Sequence, residues 1–145
     1  MVAIKFYEDD KDIPFKYAVI VARANHQWVF CKHKQRTTYE IPGGHREPNE
    51  DILATAKREL FEETGATDYT IKPISAYSVT ETDSEKGIQP ETFGMLFYAE
   101  ITAFGELPNF EMEKVMLFDE LPSEWAYPLI QPQLIEKACA VMGAE

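Results

Sequence analysis

The sequence predicts an α+β fold, or a sandwich with a mixed sheet, and three observations lead there. Segments rich in β-branched and aromatic residues lie on both sides of one strongly periodic helical segment. A second apolar-periodic segment comes near the end, so the order is strands, helix, strands, helix. The stretches between them are short and carry Gly, Pro, Asn and Asp. At 145 residues, with no repeat, low-complexity tract or linker, residues 1–145 are expected to form a single domain.

The first strands are expected over Lys16 to Ala24 and Gln27 to Lys32, joined by Asn25-His26 as a tight hairpin turn. Tyr39-Glu40-Ile41 is a short strand ended by Pro42-Gly43-Gly44, where a missing donor and two glycines favour a sharp change of direction. Helical periodicity then runs from Glu50 to Thr64, with Ile52, Leu53, Ala56 and Leu60 as its apolar stripe and Gly65 as its stop. Asn49 is the expected N-cap, and Glu50 and Asp51 fall in a first turn where the helix dipole favours negative charge. Tyr69 to Thr80 and Phe93 to Ala103 read as longer strands. In the second, Phe93, Met95, Phe97 and Ala99 alternate with Gly94, Leu96, Tyr98 and Glu100, so both faces should be at least partly covered. The polar segment from Glu81 to Glu91 reads as an exposed loop, Glu113 to Phe118 as a strand and Gln131 to Met142 as a second helix. Leu134, Ile135, Ala138 and Val141 of that helix would pack on its own sheet or on a second subunit, so both a monomer and a homodimer stay open.

Composition narrows the function classes. No stretch approaches the roughly 20 uninterrupted apolar residues of a membrane helix. The opening residues lack the basic and apolar regions of a signal peptide, so a cytoplasmic location away from membranes is expected. A formal charge of −11 disfavours broad nucleic-acid binding, which needs a basic surface to displace counterions. Cys31 and Cys139 lack metal or redox spacing and read as buried free thiols. His26, His33 and His45 also lack ligand spacing and read as surface groups.

The chemistry is concentrated between Gly44 and Ala66. On a helix turning about 100° per residue, Glu59, Glu62 and Glu63 fall within roughly 100° of one another and make an acidic ridge beside the apolar stripe. An acidic run on a helix is ordinarily a solvated face. Crowded carboxylates, however, repel unless something positive covers them, and their hard oxygens suit Mg²⁺ or Mn²⁺. Glu50, taken as helical, should point away from the ridge, while Arg58 can pair with a carboxylate and brace it.

The whole segment resembles the Nudix box, Gly-x5-Glu-x7-Arg-Glu-U-x-Glu-Glu-x-Gly-U with U aliphatic. Gly44, Glu50, Arg58, Glu59, Leu60, Glu62, Glu63, Gly65 and Ala66 fill all nine specified positions. With ordinary residue frequencies a chance match at a given start has a probability on the order of 10⁻⁹ or less. The resemblance implies an α/β/α sandwich with a mixed sheet and hydrolysis of a nucleoside diphosphate linked to another group. It also implies that Glu59, Glu62 and Glu63 hold metal, that the Gly43 carbonyl adds a ligand, and that Glu50 and Arg58 support the motif. The proton acceptor differs among family members. It is one of the ridge glutamates or a glutamate on a later loop, for which Glu111 and Glu113 are the candidates here.

A MutT-like nucleoside triphosphate pyrophosphohydrolase is the expected activity. Nucleotide-sugars, dinucleotides, cofactors and capped RNA ends share the same anhydride, and a non-catalytic ligand-sensing module is the alternative outside the enzyme class. Intact glutamates argue against that last option. Lys32, Lys34 and Arg36, with His33, form the conspicuous basic cluster of an acidic chain and are candidates for phosphate contact. Edge-strand solubilising charge is an equally good reading of them. Trp28, Tyr39, Phe93 and Tyr98 read as core in preference to base-stacking groups.

Overall fold

The structure, a computed structural model, describes residues 2–9, 11–107, 112–123 and 125–143, with the backbone alone at 112–114. The first hairpin joins β2 (Tyr17–Ala24) to β3 (Gln27–His33). Asn25 and His26 turn the chain with φ of 51° and 66°, the left-handed pair whose twist matches that of the flanking strands. β8 (Thr92–Phe104) lies parallel to β2, with Ala18 opposite Met95 and Ile20 opposite Phe97. β6 (Ala66–Asp83) pairs antiparallel with β8, and β1 (Val2–Tyr7) antiparallel with β6. β9 (Met112–Phe118) and β4 (Tyr39–Glu40) join β3, β5 (Gly43–His45) joins β2, and β7 (Gly87–Ile88) joins β6. Among these strand pairs the β2–β8 pairing alone is parallel, so the sheet is mixed, in the order β1-β6-β8-β2-β3-β4.

Strand periodicity divides the apolar residues between the two faces. Ala18, Ile20, Ala22, Met95, Phe97 and Ala99 belong to one core, which Ala56 and Leu60 of α1 (Ile52–Thr64) complete. Val21, Leu96, Tyr98, Phe30 and Tyr77 belong to the other, completed by Leu134, Ile135 and Ala138 of α2 (Gln131–Met142). Helices on opposite faces of a mixed sheet make the α/β/α sandwich that the sequence implied. Burial of a side chain such as Leu60 contributes about 1.5–3 kcal/mol. Trp28 and Tyr98 are buried within the α2-side core, and Tyr39 packs against it. Cys31 is buried and Cys139 half-buried, both as free thiols. No helix among the described residues is long and apolar enough to cross a membrane.

Several elements differ from the sequence expectation. β1 is absent from the sequence expectation although Val2, Ile4 and Phe6 alternate toward the α2-side core; at the sheet edge Ala3 and Lys5 between them are exposed. The segment expected as loop after Thr80 extends β6 to Asp83 and adds β7, held by the Gln89 N–H to Glu81 carbonyl bond. α1 starts later than Glu50. Asn49 takes φ 64°, a left-handed position that Asn tolerates, and cannot serve as cap. The N-cap is Asp51, whose carboxylate accepts the Ala54 N–H at 2.8 Å. Leu53 points partly to solvent, while Thr55, Glu63 and Thr64 are buried, so the covered face is rotated from the apolar stripe toward the ridge.

Candidate active site

Two different partners share one edge of β2. Tyr17–Val19 pair with Gly43–His45 of β5, whereas Ala22–Ala24 pair with β3. The Ile20 N–H donating to the Pro42 carbonyl marks the change of partner. This split lays Gly43 and Gly44 against α1. The Gly43 N–H donates to Glu63 Oε1 at 2.8 Å, and a Cβ on Gly44 would lie only 1.9 Å from Glu59 Oε2. Glycine at 44 therefore permits a close approach of the Glu59 carboxylate to the backbone that any side chain there would displace.

Arg58 ties the loop and the ridge together. Its Nε and Nη2 donate to Glu50 Oε2 and Oε1 at 2.8 and 3.0 Å, and Nη2 also donates to the His45 carbonyl at 2.9 Å. Nη1 reaches Glu59 Oε1 at 2.9 Å and Glu62 Oε2 at 3.3 Å. Glu50 lies outside the helix and, contrary to the helical extrapolation, folds back to the ridge. There its Oε1 also accepts from the buried Thr55 hydroxyl at 2.7 Å. The repulsion inherent in the ridge is thus offset in part from within the chain.

A cavity of about 630 Å³ opens beside Gly43, Gly44 and His45. Tyr17, Tyr77 and Tyr127 give it aromatic walls, Val19, Ile41, Val79, Ile130 and Leu134 apolar ones, and Lys16, Glu40 and Gln131 polar groups. The rings of Tyr17 and Tyr77 lie 5.9 Å apart, and the Tyr17 hydroxyl bonds Thr92 Oγ1 at 3.0 Å. Lys32, Lys34 and Arg36 are not among the described lining residues. Arg36 pairs with Glu40 at 3.2 Å and lies over the Tyr127 ring at 5.2 Å. The side chains of Glu111 and Glu113 lie outside the described residues.

The NUDIX domain family model matches residues 14–137, which is most of the chain and includes every box position. The chain is a Nudix hydrolase. A Bacillus subtilis (strain 168) protein named "Putative 8-oxo-dGTP diphosphatase YtkD" is 34% identical over 116 residues, spanning 77% of this chain and 69% of that protein. A mutant of the Bacillus subtilis pyrophosphohydrolase BsRppH has a similar fold, with a TM-score of 0.78, 24% identity and coverage of 98% of this chain and 93% of that one. A NUDIX hydrolase from Nitrosomonas europaea superposes with a TM-score of 0.69, at 22% identity and 91% coverage of each chain.

Nudix hydrolases generally use divalent metals, and the donor chemistry of this ridge fits such an ion: three carboxylates of hard oxygen beside backbone glycines. Among the described residues no three acidic, His or Cys side chains converge as a ready shell. Glu59 and Glu62 are engaged by Arg58 and Glu63 by Gly43. The Nudix-box reading by sequence missed Thr55, Lys16 and Gln131. Thr55 carries no spacing signal beyond a β-branched residue in a helix, and Lys16 and Gln131 reach the cavity from opposite ends of the chain.

The Arg58 hydrogen bonds, followed by those from Thr55 and the Glu47 amide, lower the Glu50 carboxyl from the ordinary 4.5 to about 2. A depressed folded-state value stabilises the fold above the unfolded value, and that contribution is lost as pH falls through the folded value. Wild-type stability relative to Glu50→Gln should therefore be constant above about pH 4.5 and shrink from there toward pH 2. Denaturant titrations at a series of pH values check this; a constant difference would show that Glu50 is not held by Arg58.

Proposed function

We propose that this Nudix hydrolase cleaves a phosphoanhydride of a nucleoside triphosphate, as a Mg²⁺- or Mn²⁺-dependent pyrophosphohydrolase. The observation that carries the reading is the acidic ridge of α1 lying against Gly43 and Gly44, beside a cavity large enough for a nucleoside. The name of the YtkD relative, which specifies 8-oxo-dGTP, supports a nucleotide substrate.

Glu59, Glu62 and Glu63, with the Gly43 carbonyl, would hold the ion. Bound there, a divalent cation neutralises phosphate charge and lowers the pKa of an attacking water. Arg58 and Glu50 act by orientation: the bidentate pair fixes the guanidinium, which in turn fixes Glu59 and Glu62. The proton of the attacking water goes to a ridge glutamate or to Glu111 or Glu113. The aromatic cavity takes the nucleoside, and Lys32, Lys34 and Arg36 supply positive charge to the phosphates.

Phosphate release is measured over nucleoside triphosphates, dinucleoside polyphosphates, nucleotide-sugars and cofactors, with Mg²⁺ and Mn²⁺ compared and EDTA as control. Turnover of a triphosphate that EDTA abolishes is the expected result. Release restricted to the other substrates would move the reading to another anhydride. Tight binding without release from any of them would make the chain a ligand-sensing module. Lys32→Ala with Lys34→Ala should raise KM about tenfold if the pair holds phosphate. An unchanged KM for that double variant, set against a raised KM for Lys16→Ala, would transfer the role to the lysine that lines the cavity.

A further inference from the structure

Gln131 is a polar group of the cavity lining that takes no part in the hydrolytic machinery. Gln131, the first residue of α2, is 7% exposed, and its Oε1 accepts the Ile41 N–H at 2.8 Å. That bond fixes the orientation of the amide, because only the oxygen end can accept. Among the described residues Nε2 has no hydrogen-bond partner and no fully buried side-chain nitrogen or oxygen is left unpaired. The Nε2 donors are therefore reachable by solvent, and the residue borders the cavity between Ile130 and Leu134. A nearly buried amide with its oxygen committed and its nitrogen open is a preset donor.

Resting on the reading that this cavity takes the base of a nucleotide, we propose that Gln131 selects bases carrying an oxo group over those carrying an amino group at purine C6 or pyrimidine C4. An oxo group accepts the Nε2 hydrogen bond. An amino group is itself a donor, so the same encounter sets two donors face to face and leaves both without water or partner. Sites built around one such hydrogen bond discriminate chiefly through the penalty on the wrong ligand. The tyrosine walls supply apolar and stacking surface common to all bases, so they bind without choosing.

The test compares ITP with ATP, and UTP with CTP, since each pair exchanges an oxo for an amino group at one ring carbon. For the wild type, kcat/KM is expected to favour the oxo member of at least one pair by about tenfold or more. Gln131→Leu should bring that ratio toward one, but it also strips the Ile41 N–H of its partner. Gln131→Glu keeps an oxygen for Ile41 and replaces the donor by an acceptor, so its ratio should fall below one. A wild type indifferent in both pairs, or a preference unaltered in Gln131→Glu, overturns the proposal. Binding of the same four nucleotides is followed in parallel by isothermal titration. Preferential binding of the oxo member without phosphate release would uphold the base site and reject the hydrolase reading; release from all four at equal kcat/KM would do the reverse.

Discussion

Replacing Glu62 or Glu63 with Gln is expected to lower kcat by more than about 10²-fold, because substitutions one shell further from a metal already cost 10–100-fold. The exchange preserves side-chain volume and removes a charge from a crowded ridge. The melting temperature should accordingly stay within about 4 °C of the wild type. Glu63 is the more demanding test. It is buried, and its Oε1 accepts the Gly43 N–H, a bond that the amide oxygen of Gln can still accept. A folded Glu63→Gln protein without turnover would separate the role of the negative charge from that of the hydrogen bond. Full activity in both variants would remove the ridge from the site.

The second large effect is expected at Gly44. A Cβ there would meet Glu59 Oε2 at 1.9 Å and Oε1 at 2.8 Å, so the carboxylate has to leave its position. What must move is the far end of a flexible side chain, and Gly44→Ala should therefore cost little more than about 1 kcal/mol of stability. Activity should suffer far more, since displacement of a positioned group by about 1 Å can lower the rate 10²-fold. Gly43→Ala provides the contrast. Its Cβ would meet the Ala18 backbone carbonyl at 2.6 Å, which cannot move away without disturbing the β2–β5 pairing, so the loss should fall on stability first. Thermal melts measured beside kcat for the two variants test this; equal losses in both quantities would show that Gly44 serves the fold alone.

Much of this molecule was legible because its signals are local. The carboxylate spacing of Glu59, Glu62 and Glu63 depends only on helical geometry, and the stop at Gly65 follows from a left-handed C-cap with φ 75°. The Asn25-His26 turn and the alternation along β8 are equally local, and α2 runs from Gln131 to Met142 as its periodicity indicated. The start of α1 was misread because Asn49 and Asp51 are both good caps, and the choice between them was made by the left-handed backbone at Asn49 and the tether from Glu50 to Arg58.

The acidic ridge, its Arg58 brace, the glycines around it and the family membership are readable from the residues alone. Each is written in spacing over a few helical turns. The fold alone divides the β2 edge between β3 and β5, which presses Gly44 onto Glu59. It alone brought Lys16, Tyr77 and Gln131 around one cavity. Those neighbours are set by a parallel β2–β8 register and by the packing of α2 across the opposite face of the sheet. Contacts between residues so far apart in the chain have no period to read, so the ridge proposed to hold the metal is local while the cavity proposed to choose the molecule is assembled by the fold.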